Sequence, residues 1–203
     1  SLNVTPTASK VLKFNSSNDG LEAGDVGGAL VLISEQTASS SSTISFTSGI
    51  DSTYKEYIFK FINIHPATDN TDLTFNGSTD SGSNYNVTKT TTMFRAIHNE
   101  ADNDTELGYD TGGDLAQSTN FQSLIRSIGT DNDQCGVGTL HLFDPSNTTF
   151  VKHYIATSNV YEDGDYTINS YSAGYCNTTS AIDGVQFIMS SGTIQSGTIK
   201  MYG

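Results

Sequence analysis

Tryptophan is absent from the 203 residues, cysteine occurs twice, proline three times, and basic residues number 9 against 22 acidic ones. The shortage of base argues against nucleic-acid binding: a formal net charge of −13 repels phosphate, and the Lys and Arg residues never gather into a patch. No apolar run approaches the roughly 18–20 residues of a helical membrane span, so membrane insertion is not expected. The opening SLNVTPTASKVLKF lacks a basic segment followed by a continuous apolar one, and no secretion signal is read there. Cys135 and Cys176 belong to no CxxC or Cys/His pattern, which removes a thiolate metal site and leaves two free thiols or one disulfide open. GxSxG, HExxH, P-loop and GxGxxG motifs are all missing, so neither an enzyme nor a cofactor is expected. HNE at 98–100 has the HxE of zinc deaminases, but no PCxxC follows it.

What the chain does contain is hydroxyl, amide and aromatic side chains. Only 15% of residues are charged, while Tyr and Phe number 10 each among many Thr, Ile and Val, a mixture suited to pleated sheet. Strands are predicted at TISF (43–46), EYIFKFINIH (56–65), DLTFN (72–76), TTMFRAIH (91–98), GTLHLFD (138–144), TFVKHYIAT (149–157), YTINSYSAGYC (166–176), DGVQFIM (183–189) and GTIKMYG (197–203). The turns between the later ones, DPSNTT, YEDGD, CNTTSA and SSGTIQSG, are rich in residues that tolerate positive φ or cap their own backbone. Short strands joined in this way predict an all-β, jelly-roll-like antiparallel β-sandwich over 43–203.

Residues 1–42 read differently. Two apolar pieces, 11–14 and 29–33, sit in turn-rich sequence closed by the serine run 39–42, which predicts an extended N-terminal arm and linker. An arm docked on a neighbouring subunit and an extra strand on the chain's own sheet fit it equally. In EYIFKFINIH, Phe59 and Phe61 share one face and Ile58, Ile62 and Ile64 the other, as in a central strand covered on both sides by its own domain or by a symmetry mate. DLAQSTNFQSLIRSIG (114–129) spaces Leu115, Phe121, Leu124, Ile125 and Ile128 at roughly helical intervals; a short helix and a loop pinned by Phe121 both fit.

Candidate site residues are few. The acidic stretches EADNDTE and DNDQCG offer Asp102, Asp104, Asp131 and Asp133 as weak calcium candidates, although Thr105 and Leu142 occupy positions where a helical calcium loop needs Gly and Glu. His141 and His153 fall on two strands that would form a hairpin, a weak hint of a metal pair against the commoner hydrogen-bonded histidine. Asn-x-Ser/Thr triplets, such as those at Asn76 and Asn147, are compositional in a chain this rich in Asn, Ser and Thr. Aromatic and acid or amide side chains together suit a sugar, and Tyr85, Tyr109, Tyr161 and Asp165 are the ligand-binding candidates, with Tyr171 and Tyr175 nearby in sequence.

The phrases FTSGIDSTYKEYIFKFINIHPATDNTDLTFNGSTDSGSNYNVTKTTTMFRAIHNEADN, LHLFDPSNTTFVKHYIATSN, AGYCNTTSAIDGVQFIMSSG and GTIKMYG resemble a family of virion structural proteins of marine tailed bacteriophages, over about residues 28–203. The resemblance carries no catalytic motif. It implies a non-enzymatic component of the particle surface, either a capsid decoration or head fibre or the receptor-binding, glycan-recognising tip of a tail fibre. It further implies a homotrimer, with the arm attached to major capsid or tail proteins, a host surface glycan as the partner in the second case, and assembly in the host bacterial cytoplasm. Because the sequence shows no shaft repeats, a compact appendage is expected rather than a long fibre.

Overall fold

A computed structural model describes residues 11–24 and 30–203, and the remainder of the expected arm lies outside the described residues. Two units are present, divided between Val31 and Leu32. In the first, β1 (Val11–Phe14) and β2 (Leu21–Gly24) form an antiparallel hairpin with Val11 opposite Gly24 and Phe14 opposite Leu21. Asn15 ties its turn, donating from Nδ2 to Asp19 Oδ1 at 2.9 Å while Asn18 takes φ 57°.

The second unit is all-β. Its strands are β3 (Leu32–Thr37), β4 (Ile44–Phe46), β5 (Glu56–Pro66), β6 (Thr71–Ser78), β7 (Lys89–Asn99) and β8 (Thr105–Tyr109). They continue with β9 (Gln122–Ile128), β10 (Gly136–Phe143), β11 (Lys152–Tyr161), β12 (Tyr166–Cys176), β13 (Gly184–Met189) and β14 (Ile194–Tyr202). An eight-stranded sheet runs β3-β14-β5-β10-β11-β12-β7-β8 and a four-stranded sheet runs β4-β13-β6-β9, with every pairing antiparallel. Setting aside the inserted pairs β7–β8 and β11–β12, the larger sheet runs β3-β14-β5-β10 and the smaller β4-β13-β6-β9, an order compatible with a jelly roll. The two inserted pairs extend only the larger sheet, so it is broader than its partner.

The core lies between the sheets. Phe187 on β13 meets Phe59 and Phe61 of β5 and Phe46 of β4 edge to face, with centroids 5.4, 5.2 and 6.2 Å away. Farther along, Phe75 of β6 meets Tyr154 of β11 at 5.0 Å. Strand β11 alternates buried and accessible residues along its whole length, as a half-buried strand should.

The central strand β5 departs from the expected alternation. Tyr57, Phe59 and Phe61 are buried and so is Ile64, whereas Ile62 and Asn63 are exposed. Asn63, at φ 51°, belongs to a bulge that appears as a register shift against both β10 and β14. The extra residue reverses the phase of the strand, so Ile64 joins the phenylalanine face rather than the face of Ile58 and Ile62. β5 is central, as expected, but the sandwich covers only one of its faces.

Opposite this bulge, Gly197 takes φ 116°, and a Cβ there would lie 2.6 Å from Asn63 O and 2.8 Å from Ile64 Cα. Gly197→Ala is therefore expected to cost about 1–3 kcal/mol. Chemical denaturation would show this as a lower midpoint with an unchanged slope.

Two sequence expectations are corrected. Residues 114–129 contain no helix: 122–128 form β9, and 115–118 run along β7 with backbone bonds between Lys89 and Ser118 and from Thr91 N to Leu115 O. Register shifts in the β6–β9 pair add a residue between Ser123 and Ile125 and another between Ile125 and Ile128, so the buried positions Leu124, Ile125 and Ile128 imitate helical spacing. The boundary expected after residue 42 also moves. Of the two readings of the 29–33 region, the described part follows the strand on the chain's own sheet, because β3 pairs with β14 from Leu32 onward. The serine run is no loose linker, since Ser40 N bonds to Gln195 O and Ser41 exchanges backbone bonds with Ile194.

Candidate functional site

One face of the eight-stranded sheet packs on the smaller sheet, and the other carries no second layer from this unit. Its residues follow from strand register. Tyr109 (β8) stands opposite Phe94 (β7), Phe94 opposite Tyr171 (β12), and Tyr171 opposite Thr157 (β11). The next row sets Thr92, Ala173, Ile155 and His141 side by side, and the row on the other side sets Leu107, Ala96, Asn169 and Asn159.

The Phe94 and Tyr171 rings stack at 4.8 Å with only 7° between their planes. Stacked across neighbouring strands, they turn their edges outward and do not offer a flat ring face. Leu107 is 76% exposed, Tyr109 56%, Ile155 52%, Phe94 44% and Tyr171 41%, which makes a contiguous uncovered apolar patch on one rigid sheet. Beside it, a groove of about 580 Å³ runs between Phe143, His153 and Ile155 on one wall and Thr92 and Tyr175 on the other. Ala173 and Gly174 form part of its floor and leave it open by their small size.

The sequence candidates divide. Tyr161 and Asp165 come together, the phenol donating to Asp165 Oδ1 at 3.0 Å, and this bond pushes the Tyr161 hydroxyl up to about 12. Tyr161 also lines a cavity of about 330 Å³ with His98, Asn99, Glu100, Asp102, Asn159, Tyr166 and Thr167. Tyr109 lies on the β8 edge, its hydroxyl donating to Asp114 Oδ2 at 2.7 Å. Tyr85 is half-buried in the β6–β7 loop beside Gly82, so neither Tyr85 nor Tyr109 lines the Tyr161 cavity.

The calcium candidates are not gathered into a site. Asp102 pairs with His98 at 3.1 Å and Asp104 accepts from Tyr166 at 2.9 Å, while Asp131 and Asp133 sit on the β9–β10 loop. Among the described residues, no three His, Cys, Asp or Glu side chains group as a metal would require. β10 and β11 do form the expected hairpin, but His141 bonds to Glu56 at 2.6 Å and His153 packs near Tyr175. Cys135 and Cys176 are both free thiols, and burial pushes the Cys176 thiol up to about 11.

Sequence reasoning missed Phe94 and Ile155 as surface residues. The signal was present in TTMFRAIH, where Met93 and Phe94 must face opposite sides, but which side is covered depends on the second sheet.

One group beside the cavity titrates in the neutral range. Burial, followed by the hydrogen bond with Asp163, pushes the Glu162 carboxyl up to about 7. A carboxyl raised on folding adds stability that is fully present below its unfolded value of about 4.5 and is lost as pH rises through about 7. Melting measured from pH 4.5 to 8 is expected to show wild type losing stability relative to Glu162→Gln over that window. Parallel curves would remove the shift.

The fold and surface together define a jelly-roll-like β-sandwich with a broad open sheet. No family model, no curated protein and no solved structure matches the chain.

Proposed function

We propose that this protein is a non-enzymatic structural component of a tailed-phage particle, exposed on its surface as a decoration or fibre protein, and that it self-associates as a trimer through the open face of the larger sheet. One observation carries the reading. In a chain of net charge −13, the outward positions of β12 (Thr167, Asn169, Tyr171, Ala173, Tyr175) and their β11 partners (Tyr161, Asn159, Thr157, Ile155, His153) include no Asp, Glu, Lys or Arg. Copies of so acidic a protein repel one another, and a contact between them is least costly where carboxylates are missing and aromatic edges can be buried.

The resemblance to virion proteins supports the setting, and the hairpin at 11–24 supplies a separate unit for attachment to capsid or tail proteins. Cryo-electron microscopy of purified particles, with quantitative mass spectrometry, tests this. Many symmetric copies grouped in threes are expected, and absence of the chain from purified particles would overturn the proposal.

A glycan-recognising tip is the second reading, favoured by the Tyr161 cavity, whose wall combines two tyrosines with amides and carboxylates. Under it, Tyr161→Ala with Asp165→Ala abolishes adsorption to the host. Unchanged adsorption would remove this cavity as the receptor site.

A further inference from the structure

Polar side chains are sealed beneath the surface just described. Lys89, Cys176 and Lys152 lie directly opposite one another on β7, β12 and β11, and all three are buried in the interior. Lys152 donates from Nζ to Thr178 O at 3.2 Å. Lys89 is placed differently. It is 0% exposed, and its Nζ donates to Val87 O at 2.9 Å and to Asn76 Oδ1 at 2.6 Å, with the Phe75 ring centroid 5.9 Å away.

Asn76 is also 0% exposed and stands on β6, in the other sheet. Its amide is held at every polar atom: Oδ1 accepts from Gly77 N at 2.8 Å as well as from Lys89, and Nδ2 donates to Thr119 O at 2.8 Å. The amide carbon is one bond, about 1.2 Å, from the oxygen that the amine already touches.

We propose that Lys89 and Asn76 are the two halves of a self-forming isopeptide cross-link between the sheets. The neutral amine attacks Asn76 Cγ, forming the Nζ–Cγ bond. Charge developing on Oδ1 is held by the Gly77 N–H, in the manner of an oxyanion site. One amine proton passes to Nδ2, the Cγ–Nδ2 bond breaks, and ammonia leaves; the remaining amine proton stays on the new amide. No oxidant, reductant or further reactant enters.

Burial holds the Lys89 ammonium down to about 8, against a smaller opposing pull from Cys176, so far more of it is neutral at physiological pH than of a solvated lysine. None of the hydrogen bonds made by either side chain goes to a carboxylate, so the proton moves between the two nitrogens. Formation therefore follows deprotonation of the amine, and it is expected to run roughly a hundredfold faster at pH 9 than at pH 6.

Intact-mass spectrometry of the full chain, followed over days at pH 6 and pH 9, tests the proposal. The expected product is lighter than the sequence by one ammonia, about 17 Da, and forms faster at pH 9. Because Asn76 precedes Gly77, a succinimide would give the same loss, and two further readings separate them. Lys89→Met removes the amine, so the loss disappears there only if the lysine is the nucleophile. Cleavage of wild type at Tyr85, between the two residues, leaves one branched peptide if the link exists. An unchanged wild-type mass at pH 9, a loss that persists in Lys89→Met, or two separate peptides after cleavage at Tyr85 would each overturn the proposal.

Discussion

Phe187→Ala is expected to remove about 3–5 kcal/mol of stability, the range for deleting a fully buried aromatic ring. Phe187 has no exposed surface and meets the rings of Phe46, Phe59 and Phe61, which come from both sheets. These contacts are edge to face, the arrangement that adds to simple area burial. Because the surrounding rings sit on paired strands, they cannot collapse into the space left behind, and the cavity term adds to the transfer term. Denaturation should show a lower midpoint and an unchanged slope. Phe150→Ala, at an exposed ring in the β10–β11 connection, should stay within about 0.5 kcal/mol. A cost below about 1.5 kcal/mol at Phe187 would mean that the sheets do not interlock there.

The second large effect is electrostatic. Arg126 of β9 pairs through Nε with Asp72 of β6 at 3.1 Å and through Nη1 with Asp110 at 3.2 Å, while Arg95 of β7 stands 3.7 Å from the other Asp110 oxygen. Asp72 also accepts from Ser123 Oγ and Ser127 N, so a single carboxylate holds the bulged end of β9. Arg126→Met leaves two largely covered carboxylates without their main counter-charge and is expected to cost about 2–3 kcal/mol. The cost is set below that of a fully buried pair because Arg126 and Asp72 keep some contact with water. Adding Asp110→Asn should recover part of the loss, since it removes one of the stranded charges. A double variant no better than the single would show that the damage is to packing.

Apart from β8 and β9, the strands from 56 onward could be read from the sequence because each is rich in β-branched and aromatic residues and bounded by turn residues. The hairpin of β10 and β11 also followed from its connecting DPSNTT. β9 could not be read, because its bulges space Leu124, Ile125 and Ile128 as a helix would. β3 hid in a segment resembling an arm, because an edge strand half open to solvent lacks a clean apolar alternation. At the candidate sites, Tyr161 and Asp165 lie within one turn, and their meeting is a local property of YEDGD. Phe94 and Tyr171 meet only because β7 pairs with β12, a register between strands distant in sequence that no local pattern encodes. The Lys89–Asn76 contact joins two sheets, and a lysine in VTKTTTMF gives no sign of being sealed from water.

The central claim is that the uncharged stretch of the open sheet face, on β7, β12 and β11, is buried between copies of this chain. Analytical ultracentrifugation of the purified protein tests it most directly, comparing wild type with Phe94→Ser combined with Tyr171→Ser. The account predicts a trimer for wild type and a monomer for the variant, with the β-sheet content of the folded variant unchanged because both side chains are surface-exposed in the sandwich. A wild-type monomer throughout the accessible concentration range, or a variant that still forms trimers, would contradict it.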